Sequence, residues 1–318
     1  MRSATFQPFL AEPSGVVNVS SVPQRSPFRY PGGKTWFVPH LRGWLQLLGP
    51  KPTVFVEPFA GGGIASLTVA MERLAEHVVM AELDSRVAAV WKTILSDEVG
   101  WLVDRIRTFK IDRETVVAEL CREPASEPEW AFQTIVRNRV QRGGIIAPGA
   151  SLVKKGENNR GVASRWYPET LCRRIAEIHR VRGRIEFHHR DAFDVIRHYA
   201  GRRRAAFFID PPYTAGGKSA GSRLYLHNHI DHAALFGVVA DIAGEALLTY
   251  DDSAEVRKLA AAHAFYTQRV AMKNTHHNEM AELAITNRPM STRLPPAPEP
   301  EALLCEDAPR RRRKSLKT

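Results

Sequence analysis

The stretch Ala205-Ala206-Phe207-Phe208-Ile209-Asp210-Pro211-Pro212-Tyr213 constrains this chain more than any other. Its apolar run, rich in aromatic and β-branched side chains, predicts a strand buried on both faces, the habit of a central parallel strand. Two prolines then end it, because proline donates nothing to a ladder and fixes φ. Asp210 is left at the carboxyl end of the strand and Tyr213 on a stiff turn. A carboxylate, prolyl carbonyls and an aromatic face suit a flat heterocycle bearing an amino group, which describes adenine or cytosine. An ordinary Asp-Pro turn has the same spelling, so the stretch gains meaning only from its company.

That company begins upstream. Thr53-Val54-Phe55-Val56-Glu57-Pro58-Phe59-Ala60-Gly61-Gly62-Gly63, followed by a helix over 64 to 74, reads as the strand, glycine turn and helix that open a doubly wound nucleotide-binding sheet. The glycines do not spell the dinucleotide fingerprint. Glu57 ends the strand, where it either influences a cationic ligand or holds the turn. A second strand over 77 to 81 ends in Glu82-Leu83-Asp84, about 20 residues after the glycine turn, where an acid suits the two hydroxyls of a ribose. Asp84, just before a helix over 85 to 95, fits an N-cap better. A third strand over 184 to 191 also ends in an acid, Asp191, with a helix over 192 to 199 behind it. The adjacent His188 and His189 point to opposite faces of that strand, which argues against a metal pair.

Elsewhere the pattern is helical or irregular. Residues 1 to 26 read as a loose arm, and order is expected from Phe28-Arg29-Tyr30-Pro31-Gly32-Gly33-Lys34. Its tight turn exposes backbone amides ahead of Trp36, Phe37, Leu41, Trp44 and Leu45 at helical spacing, a seat for a carboxylate or phosphate, or else a plain turn with a solvated lysine. From 97 to 182 helices alternate with polar loops. A helix over 129 to 140 ends in a cationic segment with Arg137 and Arg139, and Lys154 and Lys155 follow in a glycine-broken loop, as phosphate contacts or as wet surface. The loop Thr214 to His229 has the length of a functional segment. Asp231 caps a helix to Ile242, a strand covers 246 to 250, and a closing pair of strands covers 265 to 272 and 282 to 286. Residues 289 to 318, Pro-rich then basic, read as a disordered tail.

Composition narrows the partner. A net charge of +11, part of it in Arg310-Arg311-Arg312-Arg313-Lys314, favours a polyanion. Cys121, Cys172 and Cys305 have no metal or redox spacing, which fits a reduced compartment. No run approaches the roughly 20 apolar residues of a membrane span, so a cytoplasmic protein, by default a monomer, is expected.

Taken in order, Tyr30-Pro31-Gly32-Gly33-Lys34, Phe55-Val56-Glu57-Pro58-Phe59-Ala60-Gly61-Gly62-Gly63, Asp191-Ala192-Phe193, Asp210-Pro211-Pro212-Tyr213 and Glu282-Leu283-Ala284-Ile285-Thr286-Asn287 resemble the motifs of the DNA adenine methylase family, D12 class. The likeness spans roughly 27 to 288. It implies a Rossmann-like methyltransferase sheet with an inserted, mostly helical target-recognition region at 97 to 182. It also implies S-adenosylmethionine as cofactor, double-stranded DNA as partner, and methyl transfer to adenine N6. By the same resemblance Tyr30, Lys34, Glu57, Phe59, Gly61, Gly63, Glu82, Asp191 and Asp210 fall at the cofactor, and Asp210, Pro211, Pro212 and Tyr213 at the chemistry. Members more often carry Asp where Glu82 stands; the longer arm keeps the charge. Target recognition matches weakly. A cytosine-N4 enzyme, an RNA or protein-amide methyltransferase, and an inactive DNA-binding relative share parts of this pattern, although Asp at 210 leans toward adenine.

Overall fold

The computed structural model describes residues 19–29, 32–146, 149–212, 230–273 and 279–289. The first helix, α1 (Val38–Leu47), follows a 3-10 turn over Lys34–Phe37. Then come β1 (Val54–Glu57), α2 (Ile64–Glu72), β2 (His77–Glu82) and α3 (Ser85–Leu95). Four helices follow without a strand between them: α4 (Val99–Thr108), α5 (Arg113–Cys121), α6 (Glu127–Val140) and α7 (Pro168–Arg180). The chain returns to the sheet through β3 (Ile185–His189), α8 (Ala192–Tyr199), β4 (Ala205–Ile209), α9 (His232–Ala240), β5 (Glu245–Asp251), α10 (Ala254–Ala262), β6 (Tyr266–Lys273) and β7 (Glu279–Thr286).

These strands form one seven-stranded sheet in the order β3-β2-β1-β4-β5-β7-β6. The first five in sequence run parallel, and β7 enters antiparallel between β5 and β6. Sequential strands step outward from β1 to β3 and then the other way from β4, so the order reverses between β1 and β4. In open α/β sheets that reversal leaves a crevice at the carboxyl ends where ligands bind.

Alternation along the strands builds a core on each face. Phe55, Val78, Met80, Ala206, Phe208 and Leu247 face one side and pack with α1, α2, α3, α4, α6 and α7. Val54, Val56, Val79, Ala205, Phe207, Ile209 and Leu248 face the other and pack with α8, α9 and α10. The expected α/β doubly wound sheet is therefore present. The helices of the 97 to 182 region share the first core: Phe132, Ile135, Val136 and Val140 of α6 are fully buried in the same cluster as Trp91 and Ile94 of α3.

One expectation needs correction. Residues 19–26 are not a loose arm. Val22 is buried against Val38 and Ile64, Arg25 joins Arg42 on the carboxylate of Glu72, and the Ser26 hydroxyl donates to the Gly62 carbonyl at 2.6 Å. Packing without periodicity escapes a reading built on periodicity, and the partners of Arg25 and Ser26 lie 47 and 36 residues away. Residues 1–18, the loop from Thr214 to His229 and the tail from Met290 onward lie outside the described residues. Among the described residues no helix is long and apolar enough to cross a membrane.

Candidate active site

Parallel strands place their last residues on one edge of the sheet, and here that edge is acidic. Glu57 closes β1, Glu82 closes β2, Asp191 precedes α8 and Asp210 follows β4. Glu57 and Asp210 stand on either side of the reversal in strand order.

The glycine turn lies between the first two acids. Gly61 and Gly63 both have left-handed backbones, with φ of 46° and 64°. Gly63 also has no room for a side chain, because a Cβ would come within 2.7 Å of Met80 Cε and 2.9 Å of Trp91 Cζ2. Trp91 Nε1 donates to the Gly61 carbonyl at 3.0 Å, fixing the turn from α3. Glu82 shapes it from the other side: its carboxylate accepts from the amides of Gly61 at 2.9 Å, Leu83 at 2.8 Å and Asp84 at 2.9 Å. A carboxylate offers about four lone-pair sites, so roughly one remains for a hydroxyl rather than the pair expected from sequence. Burial pushes the Glu82 carboxyl up to about 7, against those three amide donors, which favour the anion. Leu83, next in sequence, is a large apolar side chain that is 40% exposed at this edge, and the sequence reading did not single it out.

Glu57 turns out to hold the turn. It is buried and accepts from the Ser66 amide in the first turn of α2 at 2.8 Å. Burial pushes its carboxyl up to about 8, the Ser66 bond opposing and the charges of Asp210 and Glu82 adding. Phe59 is partly buried against the core on the α8 face. Asp84 and Asp191 are N-caps, accepting from Arg86 N at 2.9 Å and Phe193 N at 2.8 Å.

Across the reversal the geometry is different in kind. Lys34 is 4% exposed, and its ammonium lies 3.0 Å from Asp210 Oδ1 and 3.3 Å from Glu282 Oε2. Thr249, fully buried on β5, donates its hydroxyl to the same Asp210 Oδ1 at 2.7 Å. Burial alone would lower the Lys34 pKa, but the charges of Asp210 and then Glu282 outweigh it and hold it above its usual value. Tyr250, beside Thr249, is buried and bonds His232 Nδ1 at 3.0 Å; burial, then the charge of Asp210, pushes its hydroxyl up. Pro211 is buried and Pro212 half-buried behind Asp210. Tyr30 and Tyr213 lie outside the described residues.

The structure thus brings Lys34 onto Asp210, where the sequence reading offered a ligand seat or a solvated lysine. Glu282 and Thr249 are the partners that reading missed. The only signal for Glu282 was its place at the head of the last motif.

The cationic residues of the helical region divide. Lys154 and Lys155 are exposed, as are Arg142 and Arg160. Arg137 is half-buried, and burial, then the neighbouring Arg86, lowers its pKa; it reaches the Gln133 side chain and the Leu120 carbonyl. Arg139 is 5% exposed and donates to the Pro27 carbonyl, and burial lowers it to about 9. A guanidinium committed to the interior does not meet a phosphate, so Arg139 does not fit the phosphate contact expected from sequence. Its role is to tie down the segment ahead of Lys34. Asn138 does the same, accepting from Arg29 N at 2.9 Å and donating to the carbonyls of Arg29 and Gly144 at 3.2 and 2.8 Å.

Comparison with known proteins gives one family match, to the D12 class N6 adenine-specific DNA methyltransferase, over residues 30–119. That span holds Lys34, Glu57, the glycine turn and Glu82, and stops short of Asp210. No curated protein matches the chain. Among solved structures, a chain described as an RNA methyltransferase of Pyrococcus horikoshii is similar at 11% identity with a TM-score of 0.38, over 84% of this chain and 92% of that one. At that distance the likeness carries no argument of its own. The D12 match makes residues 30–119 similar to a methyltransferase, and the sheet's reversal point lies between β1, which leads into the glycine turn, and β4, which leads to Asp210.

Proposed function

We propose that the chain is a site-specific DNA methyltransferase that transfers the methyl of S-adenosylmethionine to N6 of an adenine flipped out of the duplex. The observation that carries this reading is Asp210, held between Lys34 and Thr249 at the reversal of the sheet, with a glycine turn and Glu82 on the other side of it.

The residues fit the cofactor. The left-handed turn at Gly61 allows a ligand to approach the backbone, Glu82 has acceptor capacity for a ribose hydroxyl, Leu83 offers an apolar surface for a base, and the acids suit a cation. When bound, S-adenosylmethionine supplies a methyl already activated on sulfonium. What the chain supplies is position and charge. The N6 lone pair of adenine is delocalised into the ring, and acceptors for both N6 hydrogens draw it toward a tetrahedral geometry. Asp210 and the Pro211 carbonyl are those acceptors, and their preorganisation is the term that usually dominates such catalysis. Lys34 and Thr249 hold the Asp210 carboxylate in one orientation before substrate arrives. A base must leave the stack to reach this edge, at a cost of a few kcal/mol that Tyr213 offsets by stacking. The exposed Lys154, Lys155, Arg142 and Arg160 supply phosphate contacts, in keeping with the net charge of +11.

The test is product identity. Duplex DNA and a matched RNA are incubated with the chain and methyl-labelled S-adenosylmethionine, then digested to nucleosides for mass analysis. N6-methyldeoxyadenosine from DNA is the expected product. N4-methyldeoxycytidine, or label in the RNA alone, would replace this reading with its neighbour.

A further inference from the structure

We infer that Glu282 is a positioning residue that acts on Asp210 through Lys34, an inference that rests on the role proposed for Asp210 above. Asp210 directly follows β4, and Thr249 and Glu282 lie on β5 and β7, three neighbours in the sheet. Because β7 runs antiparallel to β5, residues near its start lie at the carboxyl edge, which is how Glu282 reaches a site otherwise built from strand ends. Lys34 enters from outside the sheet, its ammonium 3.0 Å from Asp210 and 3.3 and 3.4 Å from the two oxygens of Glu282.

A buried ammonium with one carboxylate partner closes on it. It would then cancel the charge of Asp210 and engage the lone pairs that N6 needs. A second carboxylate opposes that collapse. With two carboxylates around one ammonium the cluster keeps a net negative charge, and Thr249 holds Oδ1 while Lys34 is shared. Sheet stability does not account for Glu282. It pairs in register with Asp251, and like charges directly opposite in an antiparallel ladder are destabilising. It is also only 8% exposed, at a depth where a neutral β-former would cost less.

The full chain is assayed on duplex DNA as wild type, Glu282→Gln, Glu282→Asp, Lys34→Met and the Lys34→Met/Glu282→Gln double variant, with each rate normalised to the cofactor-binding fraction. Glu282→Gln is expected to lower kcat about tenfold to a hundredfold while KM for DNA moves less than about threefold. Glu282→Asp, which keeps the charge, should retain more activity than Gln. In the Lys34→Met background the Glu282→Gln change should alter kcat by less than about twofold, since its route is already removed. Equal kcat in Glu282→Gln and wild type overturns the inference alone, as does an undiminished effect in the Lys34→Met background, or Asp performing worse than Gln. Absence of transfer by the wild type overturns it together with the proposed function.

Discussion

The two halves of the sheet edge hold their carboxylates in opposite ways. On the β1 and β2 side, Glu57 and Glu82 accept from main-chain amides of the turn and helix beside them. On the β4, β5 and β7 side, Asp210 and Glu282 meet a lysine and a threonine side chain brought from distant sequence. Main-chain donors fix a loop and move only with it, so the first pair makes a cradle. Side-chain partners fix an orientation and a charge, which is what the proposed function asks of the acceptor Asp210. Under the proposed function, carboxylates along one sheet edge divide into those that hold the ligand and those that prepare the chemistry.

The largest expected break falls on the second half. Asp210→Ala should lower the methyl-transfer rate by roughly 10² to 10³, the usual loss of one preorganised group, measured by single turnover. Next comes the cradle itself: Gly63→Ala meets both a left-handed backbone and the side chains of Met80 and Trp91, and should destabilise the chain by about 2 to 3 kcal/mol in denaturant unfolding. Glu82→Gln should weaken S-adenosylmethionine binding by about 1 to 3 kcal/mol in calorimetry. It should also flatten the rise in affinity expected of the wild type as pH passes about 7 and Glu82 ionises.

Glu57 sharpens the comparison through pH. Its folded value of about 8 lies above the ordinary 4.5, so its contribution to stability is full below about pH 4.5 and is lost as pH rises to about 8. Glu57→Gln removes that dependence, and the wild-type Tm should fall relative to the variant by about 2 °C or more across the window. The smallest effect belongs to the surface. Lys154→Ala or Lys155→Ala should each lower the salt slope of DNA binding by about one, with sequence preference unchanged, whereas Arg139→Ala should lower Tm instead.

Much of the sheet was legible because strands ending in an acid and a turn leave a local signature. Val54 to Glu57, His77 to Glu82 and Ala205 to Asp210 each state their burial and their stop within a few residues. The helix over 129 to 140 was legible too, and it is the greater part of α6. What stayed hidden depends on partners far along the chain. Nothing near Lys34 says that it meets Asp210 and Glu282, 176 and 248 residues on. Asn138 and Arg139 read as a polar helix end, yet both turn inward to the carbonyls of Arg29 and Pro27. Charge near a helix terminus looks the same whether it faces water or a buried carbonyl, and only the tertiary fold decides.

The division of labour is tested most directly by titrating S-adenosylmethionine into Asp210→Ala and Glu82→Gln and measuring single-turnover transfer in the same preparations. The account predicts that Asp210→Ala loses transfer while its Kd stays within about tenfold of wild type, and that Glu82→Gln loses affinity while its rate at saturating cofactor is largely kept. Both variants losing affinity and rate in the same proportion, or the losses falling the other way round, would contradict it.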